Sequence, residues 1–261
     1  MNLNGVYDFY LHEKEGRIEE TKRKILDAVA CDHKDDFKTF YPSPDDLNYL
    51  PMNSVLIGFQ FTLKKPYTSR GESKFSENLI VRDQFTGLPM VRPSTWKGDL
   101  RFAATKLMGP KNPIIIRLFG SNPDSEDMIK GRLYFFPTFF KDGAENDVIT
   151  PLKRETRTPA RGPIPLEVMK PGTKGDFYLL YVPYPGNENF GDEIKEDLKL
   201  IAEALKLMFY TCGFSAKRTS GFGVIEKQLK GKLWMRGGVS KNFSNLHELS
   251  EILDGYGYEQ H

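Results

Sequence analysis

The 261 residues suffice to bury a sizeable core in one large domain, or in a domain with an appendage. Lys and Arg number 37 against 35 Asp and Glu, a formal net charge of +2, so the whole-chain charge does not announce a nucleic-acid binder and such a role would rest on locally basic surface. Two cysteines, Cys31 and Cys212, are too few for a disulfide framework or a cysteine-rich zinc site; no apolar run approaches the roughly 18 residues that span a bilayer, and the N-terminal MNLNGVYDFYLHEKEGR lacks a signal-peptide pattern, so a reduced, cytoplasmic setting is expected.

Residues 1–53 stand apart as an N-terminal extension. Arg17 to Ala30 reads as a helix with Ile18, Ile25, Leu26 and Val29 on one stripe, followed by charged, proline-bearing sequence up to Leu50-Pro51. His33 after Cys31 has no second ligand pair, and no metal site is predicted there. Residues 55–64, VLIGFQFTLK, alternate as a half-buried strand does, with Val55, Ile57, Phe59, Phe61 and Leu63 on one side.

Residues 71–101, GESKFSENLIVRDQFTGLPMVRPSTWKGDLR, form a polar loop that passes through the turn-like Thr86-Gly87-Leu88-Pro89 and feeds a helix. A connection of roughly 30 residues with so little periodicity is unusual inside a domain and points to function or disorder. The helix that follows favours function. Ser94 or Thr95 is expected to cap it, leaving backbone N–H groups beside Lys97 and Arg101, which lie four apart on one face; such an end attracts an anion, a phosphate above all. Trp96, Leu100, Ala103 and Leu107 recur at helical spacing as its buried stripe.

Residues 131–140, GRLYFFPTFF, read as an extended segment in which Pro137 demands an edge or a bulge; Tyr134, Phe135 and Phe136 read as core rather than as a platform for bases. Residues 146–174 make a second long polar excursion, with a basic cluster that includes Arg154, Arg157 and Arg161. Residues 176–183 form a strand apolar on both faces. Residues 192–209 form the best helix, with Ile194, Leu198, Ile201, Leu205 and Met208 on one stripe and Gly213 as its stop. Lys217-Arg218-Thr219-Ser220-Gly221-Phe222-Gly223 then leads into a strand-like FGVIEKQLKGKLWM. Glycines there permit close passage of a backbone, and the two cations before them suit its phosphates. The glycine pattern follows a helix and lacks a third glycine at the spacing a dinucleotide site requires, which disfavours a nucleotide-dependent dehydrogenase.

From residue 55 to 236 the order is strand, helix, strand, strand, helix, strand, which predicts an α+β fold: a ferredoxin-like, RRM-like βαββαβ core with long insertions. The domain is assigned to residues 54–240, with a C-terminal helical tail over 241–261.

The stretch RDQFTGLPMVRPSTWKGDLR resembles a segment of the RAMP superfamily, the repeat-associated RNA-binding proteins of CRISPR effector complexes, which usually reads V-x-R-D-P-x-T-G-x-P-Y-I-P-G-S-S-L-K-G-x-L-R. The matching residues are Arg82, Asp83, Thr86, Gly87, Pro89, Pro93, Ser94, Lys97, Gly98, Leu100 and Arg101; Gln84 replaces the usual proline, and Thr95-Trp96 replaces the second serine and the leucine. Ser220-Gly221-Phe222-Gly223 is similar to the family's glycine-rich loop, and Lys153-Arg154-Glu155-Thr156 to the motif of its thumb hairpin.

The resemblance implies a backbone-type subunit of a type III CRISPR effector ribonucleoprotein. Its partners would be guide RNA, target RNA and other RAMP subunits, with no membrane role. The guide would be held through its phosphates by Ser94, Lys97, Arg101, Arg154, Arg157, Arg161, Lys217, Arg218, Gly221, Phe222 and Gly223. No cofactor is required for binding. In the family an aspartate before the V-x-R-D segment serves metal-dependent RNA cleavage, and the alignment puts Glu77 there; Mg2+ enters only if the chain cuts RNA. Two other readings stay open: a metal-dependent endoribonuclease acting on target or guide RNA, and a noncatalytic scaffold subunit with little RNA contact.

Overall fold

The computed structural model describes residues 41–70, 79–83, 86–121, 128–150, 155–156, 158–159, 162–184 and 190–255. The expected helix over residues 17–30 lies outside them. Among the described residues, nine strands and four α-helices combine into a mixed structure of helices and antiparallel sheets. The strands are β1 (Val55–Thr62), β2 (Met90–Val91), β3 (Leu133–Phe135), β4 (Thr138–Phe139), β5 (Glu145–Ile149), β6 (Ile164–Val168), β7 (Lys174–Tyr181), β8 (Lys230–Met235) and β9 (Ser240–Phe243). The helices are α1 (Pro93–Met108), α2 (Pro113–Phe119), α3 (Phe190–Leu207) and α4 (Leu246–Gly255).

The main sheet runs β3-β7-β1-β8-β9 with every neighbouring pair antiparallel. Its centre is β1, whose alternation sends Val55, Ile57, Phe59 and Phe61 towards the helices. Opposite them, Gln60 donates to Asp176 across the β1–β7 pair, and Tyr41 of the N-terminal segment stacks on Tyr178 with ring centroids 4.5 Å apart. The Tyr178 and Trp234 rings lie over Gly58, and Leu56 is buried as well, so β1 is covered on both faces where the sequence predicts one. β7 departs in the other sense: Phe177, Leu179 and Tyr181 are buried, while Asp176, Tyr178 and Leu180 are half-exposed.

The aromatic side chains meet on the helix side. Trp96 of α1 has no exposed surface and lies 4.5 Å from Phe214, 5.0 Å from Phe177 and 5.5 Å from Phe209, ring centroid to ring centroid. Its indole N–H donates to the Thr138 hydroxyl at 3.2 Å, and that hydroxyl donates to the Asp176 carbonyl. Buried rings at such separations pack edge-on or tilted, and the indole N–H has found the partner it needs.

Several boundaries differ from expectation for identifiable reasons. The residue at the N-cap of α1 is Arg92, with no side-chain cap, and Pro93 is the first helical residue, where its fixed φ suits the helix and its missing N–H costs nothing. Ser94 and Thr95 therefore lie inside the helix. Leu107 is 45% exposed, whereas Ala104 joins Trp96, Leu100 and Ala103 in the buried stripe. The expected strand over 131–140 divides at Pro137: β3 is an edge strand of the main sheet, and β4 pairs with β2 instead. The strand-like 222–235 is extended only over β8. α3 ends in a π-helical turn, Met208–Cys212, and Gly213 with φ +74° closes it. Beyond β8, residues 240–255 supply β9 and α4, and Phe243, Leu246, Leu249 and Leu253 are buried in the same core cluster as the sheet.

A buried ionic network ties α2, β7 and α3 together. Asp197 of α3, fully buried, accepts from Arg117 Nε at 2.8 Å, Arg132 Nη1 at 2.8 Å and the Tyr181 hydroxyl at 2.8 Å, while Arg132 Nη2 reaches Glu193 at 2.6 Å. Burial raises the pKa of Asp197, and its hydrogen bond to Arg132 leads the interactions that oppose the rise. Removing one partner of such a network strands the other charges in a dry site. Asp197→Asn is therefore expected to cost about 3–5 kcal/mol, the range for breaking a buried ion pair, read as a lower urea midpoint with an unchanged m-value.

Candidate nucleic-acid interface

Two features of the sequence meet at one cleft: the start of α1 and the segment after Gly213. The cleft has a volume of about 270 Å³ and is lined by Tyr67, Thr68, Ser69, Arg70, Val81, Met90, Arg92, Ser94, Thr95, Asp99, Phe214, Ser215, Ala216 and Arg218. Among the described lining residues, the guanidinium groups of Arg70, Arg92 and Arg218 and the hydroxyl-bearing Ser94 and Thr95 therefore face one space with one carboxylate, Asp99.

Its walls are fixed by the backbone. The Thr68 N–H donates to the Ser215 hydroxyl at 3.0 Å, that hydroxyl donates back to the Thr68 carbonyl, and the Ala216 N–H donates to the same carbonyl. Gly223 donates to Pro66, and both Lys64 and Lys65 donate to Val224. Gly223 has φ +77°, and a Cβ there would sit 2.6 Å from the Ser215 nitrogen; its glycine is needed because the protein's own backbone passes close. Gly221, with φ +78°, has nothing within 4 Å of such a Cβ and stands at an open turn with Phe222 half-exposed. The two glycines of one motif thus differ, the second holding the loop to the core and the first leaving room outside it.

The other wall carries the motif around Arg82. Asp83 accepts from the Thr86 N–H at 2.9 Å and from the Thr86 hydroxyl at 2.8 Å, and the Gly87 N–H donates to the Asp83 carbonyl, closing a tight turn. Arg82 forms an ion pair with Glu167 at 2.7 Å, both nearly buried, and the same carboxylate accepts from the Ile80 N–H. Glu167 belongs to β6, so the turn is bolted to the β5–β6 hairpin. Arg82, Asp83, Thr86 and Gly87 serve the architecture of this wall.

The helix end offers less backbone than expected. Thr95 and Trp96 both donate to the Arg92 carbonyl and Pro93 has no N–H, so Ser94 is the residue of that first turn whose N–H has no acceptor among the described residues. The cationic side chains carry the electrostatics instead. At 100° per residue, α1 turns Lys97 and Arg101 to one side of its exposed surface and Thr95, Asp99, Phe102 and Lys106 to the other, with Gly98 between them and open space above it. Lys97 is exposed and Arg101 half-buried, and both lie beside the cleft rather than in its lining. Lys217 is exposed next to Arg218.

Arg218 is held by two contacts. Its Nη1 lies 2.9 Å from Asp99 Oδ1, and its guanidinium sits 4.5 Å from the centroid of the Phe102 ring. Burial pushes the Asp99 carboxyl up to about 6, with Arg218 pulling the other way. Tyr67, wholly buried, has its phenol pushed well above its ordinary value by burial and stays neutral.

The structure thus gathers Ser94 and Arg218 into the cleft and sets Lys97, Arg101, Lys217, Gly221 and Phe222 around it, with Gly223 in its support. Arg154, Arg157, Arg161 and Glu77 lie outside the described residues; the hairpin that leads to the three arginines is present as β5 paired with β6. Sequence reasoning missed Arg70, Arg92 and Asp99. A helical wheel places Asp99 beside Thr95 and Phe102, which was the available signal for it; Arg70 and Arg92 reach the cleft only through the turn of the loop. Among the described residues no three His, Cys, Asp or Glu side chains come together as a metal site. No helix there is long and apolar enough to cross a membrane.

Comparison with known proteins fits this geometry. Residues 51–226, more than half of the chain, match the model of the RAMP superfamily. The CRISPR system Cms endoribonuclease Csm3 of Streptococcus thermophilus is 29% identical over 146 residues, 49% of this chain; the match spans 64% of that relative's length. A chain of the type III-B Cmr-beta complex bound to cognate target RNA shares the fold with a TM-score of 0.51 and 16% identity, over 88% of this chain and 75% of its own. A chain of the Csm3-Csm4 subcomplex of the type III-A CRISPR-Cas interference complex gives a TM-score of 0.50 at 18% identity, over 78% of this chain and 97% of its own. A family match covering the main sheet through β7, helices α1 to α3 and both walls of the cleft settles the classification: the chain belongs to the RAMP superfamily.

Proposed function

We propose that this chain is a subunit of a type III CRISPR effector ribonucleoprotein that binds guide RNA along its phosphate backbone, beside other RAMP subunits and opposite a target RNA. The observation that carries the reading is the cleft itself, where Arg70, Arg92 and Arg218 converge with Ser94 and Thr95 at the start of α1, flanked by Lys97, Arg101 and Lys217. Guanidinium and hydroxyl groups on a rigid backbone suit phosphodiester oxygens, and contacts of this kind position a strand without reading its bases. In this reading β1, α1, β3, β7, α3 and β8 make a ferredoxin-like βαββαβ core, supported by the order β3-β7-β1-β8 with antiparallel neighbours. The β5–β6 hairpin is the base of the thumb, with Arg154, Arg157 and Arg161 beyond it.

Binding of single-stranded RNA should weaken with salt, with a log–log slope of about −0.7 for each phosphate neutralised. Replacing Lys97 and Arg101 together by alanine should weaken unrelated sequences alike by about tenfold, the loss expected for two phosphate contacts near the surface. Fluorescence anisotropy with two unrelated oligonucleotides checks both, and a salt-independent affinity would remove the phosphate reading.

Deleting residues 151–161 should leave thermal unfolding nearly unchanged, because the described part of the hairpin contributes its core residues, Leu166 and Val168, from β6. The same deletion should abolish ordered assembly on RNA, seen by size-exclusion chromatography with the partner subunits. Unfolding of the whole domain would assign that segment to the core instead.

A second reading, metal-dependent RNA cleavage, is favoured by one observation: the matched relative is described as an endoribonuclease. The described residues supply no metal cluster of their own, and no step is assigned to an ion. Glu77 is the candidate carboxylate of this reading. In the assembled complex with a complementary target and magnesium, Glu77→Gln should abolish cleavage and leave guide binding intact; equal cleavage by both forms would exclude Glu77.

A further inference from the structure

A phosphate-binding cleft with a carboxylate in its lining poses an electrostatic problem. Asp99 faces the same 270 Å³ space as Ser94, Thr95, Arg70 and Arg92, and it holds Arg218 at 2.9 Å. A phosphodiester entering that space meets a like charge at short range, in a site where only 14% of the aspartate side chain is open to water. It also finds the Arg218 guanidinium already engaged by that carboxylate. Like charges at short range repel strongly at a protein surface, unless one of them is neutralised.

We propose that Asp99 is the built-in counter-anion of this cleft: it keeps Arg218 in place until an RNA phosphate takes over the guanidinium, and it takes up a proton as the phosphate arrives. The inference rests on the phosphate-binding reading of the cleft and adds its regulation. Three observations support the exchange. The ion pair links α1 to the loop after Gly213, so the guanidinium is held at the rim of the cleft. Phe102, one helical turn on, lies under the guanidinium at 4.5 Å and keeps it there once the carboxylate lets go, while Lys106 approaches the same ring at 5.5 Å. Finally, the Asp99 carboxyl is already pushed up to about 6 by burial before any anion enters.

The sign follows from linkage. An anion beside Asp99 raises its pKa above that of the RNA-free cleft, so binding takes up a proton between the two values and affinity falls as pH rises through that window. Among the described residues, the other charged or titratable groups lining the cleft are Tyr67, Arg70, Arg92 and Arg218. Burial holds the tyrosine far above this range, which leaves Asp99 as the carboxylate among the described lining residues that changes charge near neutrality.

The test is anisotropy titration of the full chain with fluorescent oligouridine at pH 5.5, 6.5, 7.5 and 8.5 and constant ionic strength. Wild type should lose about tenfold in affinity between the lowest and highest pH, as one linked proton permits per unit of pKa displacement. Asp99→Asn should be nearly flat with pH and should bind more tightly than wild type at pH 8.5. Asp99→Glu should keep the pH dependence, which separates the carboxylate from the shape of the side chain. Calorimetry in two buffers of different ionisation enthalpy should show proton uptake by wild type and none by Asp99→Asn, a difference that a merely structural role would not produce. A wild type that binds with no pH dependence, or an Asp99→Asn protein with the wild-type profile, overturns the proposal while leaving phosphate binding intact. A wild type that binds no RNA at any pH overturns the phosphate reading and this proposal together.

Discussion

Everything at the cleft depends on how Trp96 is seated. Its indole fills the space between α1 and the main sheet, touching Phe61 and Phe177 of the sheet and Phe209 and Phe214 from the end of α3 and the segment beyond it. One buried ring thereby relates α1 to the chain on either side of Gly213, and those are the two elements whose exposed residues make the cleft. Burying so large a side chain supplies packing energy, and the bond from its N–H to Thr138 fixes its orientation. The family pattern carries leucine at this position; the larger side chain is accommodated by a ring of phenylalanines and half-meets the polar demand of Thr138, which then satisfies the Asp176 carbonyl.

The cleft is held from behind by backbone bonds together with the Ser215 hydroxyl. Residues 64–68 are stitched to residues 215–224, and a positive φ at Gly213, Gly221 and Gly223 lets the chain double back within a few residues. A rigid wall of this kind keeps Arg218 and Arg70 in register with the start of α1, which limits the side-chain ordering that a bound strand must impose. The Arg82–Glu167 pair performs the same service on the far side, joining the turn at Asp83 to the β5–β6 hairpin. A displacement of the hairpin is therefore transmitted to the loop that leads into α1, through a buried ion pair that is costly to break.

The charges on this surface are arranged by local pairing. Lys and Arg barely outnumber Asp and Glu over the whole chain. The acidic residues of α3 show such pairing away from the cleft: Glu193 and Asp197 are matched with Arg117 and Arg132 in the interior. Among the described residues that line the cleft, three arginines face one aspartate, and that aspartate pairs with one of them. A near-neutral chain can present a cationic groove when its carboxylates are consumed elsewhere.

The sequence by itself determined the elements and the family. The alternation over 55–63, the stripe from Ile194 to Met208 with Gly213 at its end, and the motif from Arg82 to Arg101 are local patterns, set by residues close in the chain, and each is legible without coordinates. Pro137 announced an interruption, though only pairing decided that β4 would leave the main sheet for β2, since a strand's partner is fixed by the whole sheet and not by its own residues. The same limit applied to the start of α1: a serine and a threonine before an apolar stripe suggest a cap, but Pro93 and the carbonyl of Arg92 took the first turn, and the electrostatics passed to side chains. The tertiary structure alone placed Asp99 against Arg218, 119 positions apart, and drew Arg70 and Arg92 into one cleft. Contacts between distant segments depend on how helices seat on the sheet, and here that seating is decided by a single buried tryptophan and the phenylalanines around it.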